Sequence, residues 1–364
     1  MSCVHNWNDT RIFYKEAYSL SKVFKVELHA LADFKEKDVN GISVKGLPKY
    51  ISRKKRPLNW FRLLYRAFKS DAKVFHFHDP ELIPVGLILK LFRKGKVIYD
   101  IHEDYPESML NKFWIPENRR IFISKAFNRF EKWSSTKFDA NINVLEHINN
   151  KFKRKKVVTE IIKNYPLLSE LNRKNELFKE KTTKVVYIGG LAELRGIYEI
   201  IDSLDYIKSQ SVTLTLAGTY LRKEVDDRIR LKAEKDSRLR YLGKVPYEEV
   251  FNILNASDIA LVCFKPGPNH DYCLPNKLFE YMSTGLPIVA TATPYWVETF
   301  SKYRCVEFIS EVTPQLIGEA IEKLIFDKEE TVKMGQRGYE AYVENFIWNS
   351  EEKKLLSLYE ALIK

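Results

Sequence analysis

The stretch PNKLFEYMSTGLPIVAT, residues 275–291, places a cation, a carboxylate and a chain turn within a few positions of one another. Pro275 suits a first helical turn and residues 276–284 carry a helical pattern. Gly285 suits the left-handed position past a helix end, and Pro287 stops the helix before a strand, IVAT. Glu280 then lies about one turn inside the helix. The N–H groups of a helix N-terminus have no intrahelical acceptors, so those around Asn276, Lys277 and Leu278, together with the Lys277 ammonium, can hold an anion. The Glu280 carboxylate can accept from neighbouring hydroxyls. A nucleotide sugar offers both groups, a diphosphate and ribose hydroxyls. The plain alternative is a capped helix with a solvated glutamate.

The elements that would position these residues form alternating series. VFHFHD from residue 74, the helix-like ELIPVGLILKLF and then KVIYDIHED read as strand, helix, strand, with polar groups gathered at strand ends, where open α/β sheets bind ligands. Residues 139–145 and 157–164 add short strands. The polar run LLSELNRKNELFKEKTT after Pro166 reads as a connection. A second series follows. KVVYIGG (184–190) is a strand entering a glycine turn, RGIYEIIDSL a helix, VTLTLAG (212–218) and RLRYLG strands, YEEVFNILNAS a helix and DIALVCF (258–264) a strand. Repeated βα units predict parallel sheets with right-handed crossovers. NSEEKKLLSLYEALIK closes the chain as an amphipathic helix.

A chain of 364 residues exceeds the usual single core, and with 45% hydrophobic and 13% aromatic residues it can fill two. The expected division is 1–166, 167–347 and a last helix, 348–364, packing back on the first domain. No apolar run is long enough to span a bilayer, and MSCVHNWNDTR lacks the build of a signal peptide, so a cytoplasmic location is expected. Cys3, Cys263, Cys273 and Cys305 form no CxxC pair, which favours reduced thiols over a disulfide framework or zinc site. The net charge of +12 is uneven. Residues 1–166 hold 33 Lys and Arg against 18 Asp and Glu, a balance of +15, and the remainder stands at −3.

Two α/β domains in tandem, with a PxKxxEYMxxGxP unit late in the second, resemble the glycosyltransferases of family 4. The resemblance runs through YIGGLAELRG, LTLAG, YLGKVPYEEV, ASDIALVCF and PNKLFEYMSTGLPIVAT, and in the first half through NDTRIFYKEAYSL, VFHFHDPEL, VIYDIHEDYP and NYP. It implies a GT-B fold, two Rossmann-like parallel-sheet domains facing each other across a cleft, with a nucleotide sugar on the second and the acceptor on the first. Glu280 matches the family glutamate that accepts from the ribose hydroxyls. Arg195 matches the basic residue that holds the diphosphate, with Lys277 as a second cation. Gly189, Gly190, Gly218 and the Gly243-Lys244-Val245 turn match loops around the phosphates and base. His102 of DIHED matches the histidine beside the donor sugar. Retention of configuration is implied, with no cofactor and no metal, since two cations and a helix N-terminus can stabilise the leaving diphosphate.

Three departures stand out. Where many members carry a sugar-contacting glutamate, this chain has Tyr272, flanked by Asp271, which is the candidate substitute in the catalytic set. Gly190 stands where many members have a phosphate-binding arginine. Only MSCV precedes His5, where a full opening strand is usual.

Residues 53–69, RKKRPLNWFRLLYRAFK, and 112–133 interleave cations with aromatic residues. A basic helix with apolar residues can lie on an anionic membrane, which suits a lipid-linked glycan acceptor as in assembly of a bacterial surface polysaccharide. The alternative is that the aromatic residues face the domain core. Asp9, Arg11, Glu103 and Asp104 are candidates to bind acceptor hydroxyls. Other readings are a metal-dependent hydrolase using His76, His78 and Asp79 with His102 and Asp104, a nucleotide-sugar epimerase of the same architecture, and a non-enzymatic membrane or nucleic-acid binder. Nucleic acid is not the expected partner, because that reading leaves the second-domain motifs unused.

Overall fold

Runs rich in Val, Ile, Leu and Thr, bounded by glycine or polar turns, become the strands of this chain, and the amphipathic stretches between them become its helices. A computed structural model describes residues 1–364 except 93–94, 111, 113–114, 154–156, 168–175, 221 and 268–272, and except the side chains of 53, 247 and 248. Residues 168–175 of the expected connection after Pro166, together with Trp114, Asp271 and Tyr272, therefore lie outside the described residues. The chain divides into two units: Met1–Asn164 with Trp348–Lys364, and Tyr165–Ile347.

In the first unit, β1 (Glu27–Leu31), β2 (Glu36–Val39) and β3 (Ile42–Leu47) form one sheet in the order β1-β3-β2. β1 runs parallel to β3, and β2 pairs antiparallel with β3 through a tight turn in which Asn40 and Gly41 both take positive φ. The alternating pattern of this region had not marked it as strand. β4 (Val74–Phe77), β5 (Lys96–Ile101), β6 (Ala140–Asn143) and β7 (Val158–Ile161) form a parallel sheet in that order. The short opening segment lies between the two sheets. Met1 N donates to His76 O at 2.6 Å, His78 N donates to Met1 O at 3.2 Å, and Ser2 N donates to His29 O at 2.8 Å. Asp79 fastens it further, accepting from Ser2 Oγ at 2.9 Å and Cys3 N at 2.6 Å.

The last helix, Trp348–Ile363, is part of this first unit. Trp348 is 1% exposed and donates from Nε1 to Ser19 Oγ at 2.9 Å, Glu351 accepts from Lys163 N at 2.8 Å, and the Tyr359 hydroxyl meets His76 Nδ1 at 2.9 Å.

The second unit holds β8 (Thr183–Ile188), β9 (Val212–Ala217), β10 (Leu239–Gly243), β11 (Ile259–Val262), β12 (Ile288–Thr291) and β13 (Val306–Ile309) in one six-stranded sheet. All its pairings are parallel, in the order β10-β9-β8-β11-β12-β13. Every residue of β11 and β12 is buried, as expected of a parallel sheet covered on both faces. The chain moves outward in one direction from β8 and in the other from β11. The loops after these two neighbours diverge and leave a crevice at their C-terminal ends.

Trp348→Ala is expected to lower the stability of the first unit by about 3–5 kcal/mol, since it opens a large cavity and strands the Ser19 hydroxyl. Denaturant unfolding followed separately in each unit checks this: the first-unit midpoint falls and the second-unit midpoint holds.

Candidate active site

The crevice beside β8 and β11 is built from glycine turns and two cations. Gly189 and Gly218, which follow β8 and β9, take φ of +136° and +150°. A side chain on Gly218 would strike the Gly189 carbonyl, so the two turns approach as closely as only glycine permits. A Cβ on Gly189 would stand 2.9 Å from Lys277 Nζ, and one on Gly190 would stand 2.7 Å from Arg195 Nη1. Both cations thus lie directly against the turn. The Tyr187 hydroxyl donates to Gly190 O at 2.8 Å and holds its far side. Arg195 ends a short helical turn whose next residue, Gly196, is left-handed and packed against the Cys263 carbonyl.

Lys277 belongs to the helix Asn276–Ser283, where no side chain caps the preceding Pro275 turn. Tyr281, one helical turn on, is fully buried, and its hydroxyl accepts from Ile188 N at 2.9 Å, tying the helix to the end of β8. Lys277 is 6% exposed and its ammonium sits 3.8 Å from the Tyr187 ring centroid, with no hydrogen-bond acceptor for Nζ among the described residues. Burial, reinforced by the Arg195 charge, pushes the ammonium well below its ordinary value. Glu280 is half-buried on the same helix and its charge opposes that shift. Leu278 points into the core, whereas Asn276 is exposed. Lys244 and Val245 follow β10, whose Gly243 O accepts from Gly218 N at 2.7 Å. The arrangement can take up an anion with both cations and the helix N–H groups.

In the first unit one carboxylate organises the residues at the strand ends. Asp100, on β5, is fully buried, and its Oδ2 lies 3.1 Å from Arg11 Nη2, 3.3 Å from both His78 Nδ1 and His102 Nε2, and 3.6 Å from His76 Nε2. Burial pushes this carboxyl up, but Arg11 and His102 outweigh it and hold it well below the usual range. Glu16 lies 2.8 Å from Arg11 Nε. Burial raises it well above its ordinary value, against the pull of Arg11 and with Asp100 adding to the rise. Burial keeps His76 and His78 low.

Glu16, His76, His78 and Asp100 offer ligand atoms within 4.8 Å of one another. The Arg11 guanidinium already stands against both carboxylates, so this donor set fits a charge-compensated network better than a metal ion. Asp79 is not in it, being bound to the opening segment.

The residues expected on the acceptor are dispersed. Arg11 is buried and donates to Ile162 O and Asp100. Asp9 caps the π-helix Thr10–Ala17 and meets His5 Nδ1 at 3.0 Å. Its burial is outweighed by these bonds, which lower its carboxyl to about 2. Asp104 pairs with Lys151, and exposed Glu103 accepts from Ser108 Oγ at 3.3 Å. His102 stands at the rim of the Asp100 network, its side chain 16% exposed. Asp100, Glu16 and Tyr359 were not singled out from the sequence. A signal existed for Asp100: two residues before His102 on a strand, it faces the same side, as His76 does with His78.

The second unit is thus a parallel α/β sheet whose order reverses beside a glycine turn and two basic side chains. Residues 168–341, most of the second unit, match the sequence profile of the family described as Glycosyl transferases group 1, so this unit carries a glycosyltransferase domain of that group. No curated protein matches it in sequence. Among solved structures it is similar to sucrose-phosphate synthase from Thermosynechococcus elongatus (TM-score 0.75, 15% identity, 95% of this chain and 91% of that one). Anabaena HepE in complex with UDP and glucose is also similar (TM-score 0.70, 14% identity, 94% of each chain). So is a glycosyltransferase from Rickettsia africae (TM-score 0.70, 11% identity, 96% of this chain and 93% of that one). At these identities the likeness is one of fold, the two-unit α/β fold of GT-B glycosyltransferases.

Lys277 carries a testable consequence. Its folded value lies below the unfolded value of about 10.4, so protonation is penalised on folding, and stability rises as pH climbs from the folded value toward the unfolded one. Lys277→Met is expected to raise the nucleotide-free thermal midpoint at neutral pH and to flatten that alkaline rise. Thermal unfolding of both proteins from pH 7 to 10 measures it.

Proposed function

We propose that the protein transfers a glycosyl group from a nucleoside diphosphate sugar to a hydroxyl of a lipid-linked glycan acceptor, as in the building of a bacterial surface polysaccharide. The observation that carries the donor half is the buried Lys277 ammonium, held beside Arg195 and the Gly189–Gly190 turn with no hydrogen-bond acceptor among the described residues. A diphosphate supplies the missing anion, and Glu280 then takes the ribose hydroxyls. Uridine is the first base to test, because the similar HepE structures hold UDP and UDP-glucose. In the transfer, the bond from the anomeric carbon to the phosphate oxygen breaks and the acceptor oxygen bonds on the same face. The acceptor proton passes to the departing phosphate. Lys277, Arg195 and the helix N-terminus stabilise the charge on that phosphate, which makes a metal unnecessary on electrostatic grounds. His102 donates a hydrogen bond to the reacting sugar or phosphate, its ring oriented by Asp100.

Support for a lipid-anchored acceptor comes from three helices of the first unit. On Pro57–Lys69, Asn59, Leu63 and Ala67 are buried, while Phe61, Tyr65 and Phe68 form an exposed stripe at positions i, i+4 and i+7 beside Arg62, Arg66 and Lys69. The helix Ile83–Phe92 packs beside it and exposes Leu91 and Phe92, and Glu117–Ser135 exposes Ile121, Phe122 and Trp133. The only acids on the three helices are Glu117 and the buried Glu131. Exposed aromatic side chains on helices where cations outnumber acids suit an anionic lipid surface. No helix among the described residues is long and apolar enough to cross a membrane.

Calorimetry with UDP, GDP, ADP, CMP and dTDP in chelator tests the donor half. One diphosphate is expected to bind wild type, with affinity falling about tenfold or more in Arg195→Ala or Glu280→Ala, since each removes a charge-assisted hydrogen bond of about 1.5–3 kcal/mol. Binding of none, or equal binding by both variants, contradicts it. Co-sedimentation with phosphatidylglycerol vesicles, but not phosphatidylcholine vesicles, is expected for wild type and lost in Phe61→Ser/Tyr65→Ser/Phe122→Ser.

A further inference from the structure

The first unit also holds a cavity of about 280 Å³ that none of the residues expected on the acceptor lines. Its walls come from Asn6, Trp7 and Asn8, from Asp33 just past β1, and from Lys49 just past β3. These segments lie at the C-terminal ends of strands that run the same way: β1 and β3 are parallel, and Asn6 bridges Leu31 in parallel sense. The cavity therefore occupies the end of the sheet where open α/β domains place their ligands.

Its chemistry is specific. The Trp7 indole is fixed by edge-to-face contacts with Phe13 at 5.3 Å and Phe34 at 5.7 Å, and its backbone N donates to Leu31 O at 2.9 Å. A ring held this way presents an apolar surface at little entropic cost. Around it stand the exposed side chains of Asn6, Asn8, Asp33 and Lys49, none with a hydrogen bond or ion pair to another described residue. Two amides, one carboxylate and one ammonium supply donors and acceptors without a net charge. That combination matches a neutral pyranose, whose C–H face stacks on an indole while its hydroxyls take the surrounding polar groups. A cavity this small holds one sugar ring.

Resting on the glycosyltransferase reading above, we infer that this cavity binds the terminal sugar residue of the acceptor glycan, with Trp7 as its stacking platform and Asn8 and Asp33 as hydroxyl partners. Asn8 and Asp33 are exposed, so replacing them leaves the fold intact. The test uses the full chain and the methyl glycosides of glucose, galactose, mannose and N-acetylglucosamine, read by the NMR shift of the Trp7 indole N–H, with UDP titrated separately. At least one glycoside is expected to shift that resonance, and Asn8→Ala/Asp33→Ala to weaken its binding tenfold or more while UDP affinity is unchanged. Absence of a shift with all four glycosides, or equal binding by the variant, overturns the inference, as does a Trp7 shift produced by UDP instead. Glycoside binding with no nucleotide bound by any measure leaves the cavity assignment standing and removes the proposed donor chemistry.

Discussion

Burying an ammonium works against folding, and the second unit is arranged around burying that of Lys277, which has no hydrogen-bond acceptor among the described residues. Lys277 is kept in place by the strongest packing available. Tyr281 ties its helix to the end of β8, Leu278 and Phe279 anchor it in the core, and the Tyr187 ring lies under the ammonium. Gly189 and Gly190 leave the space that the two cations fill. Reversal of strand order between β8 and β11 makes the arrangement possible, because it parts the loops that would otherwise cover the crevice. A unit built this way exchanges stability for a pre-formed crevice lined by two basic side chains, the trade expected where charge must be stabilised during reaction.

The first unit treats charge in the opposite manner. Arg11, Asp100, Glu16 and the imidazoles of His76, His78 and His102 compensate one another within a few ångströms, and Tyr359 of the last helix closes the group. Such a network ties the strand ends together, and it leaves His102 at its rim as a member with a partly exposed ring. The same unit carries exposed polar side chains around Trp7, and more cations than acids on its outer helices. A crevice lined by basic side chains in one unit, and exposed polar and aromatic side chains in the other, are what the proposed transfer from an anionic donor to an anchored, neutral acceptor would use.

Much of this was legible because it lies in local patterns. The βα alternation of residues 184–291, the glycine turn at 189–190 and the proline-bounded helix with Lys277 and Glu280 are all set by sequence-local physics, and they appear as β8 to β12 with their loops. The return of residues 348–364 to the first unit follows from one amphipathic face seeking cover. The network around Asp100 was not legible in the same way. Arg11 and Asp100 are 89 residues apart, Tyr359 and His76 are 283 apart, and only the folded chain brings them together. The H-x-H spacing of His76 and His78 suggested metal because spacing carries no information about the guanidinium between the carboxylates. The β1–β3 sheet escaped because its strands are short and β2 is polar and mostly exposed.

The central claim is that the Lys277 ammonium waits for the donor diphosphate. Burial holds it well below its ordinary value in the nucleotide-free protein, so an arriving diphosphate raises it and draws in a proton wherever the pH lies between the free and bound values. Calorimetric titration with UDP at a series of pH values from 7 to 10, in two buffers of different ionisation enthalpy, measures that uptake directly. A fractional proton taken up by wild type and absent in Lys277→Met is the predicted result. Nucleotide binding with no proton uptake, and with equal affinity in Lys277→Met, would contradict the account.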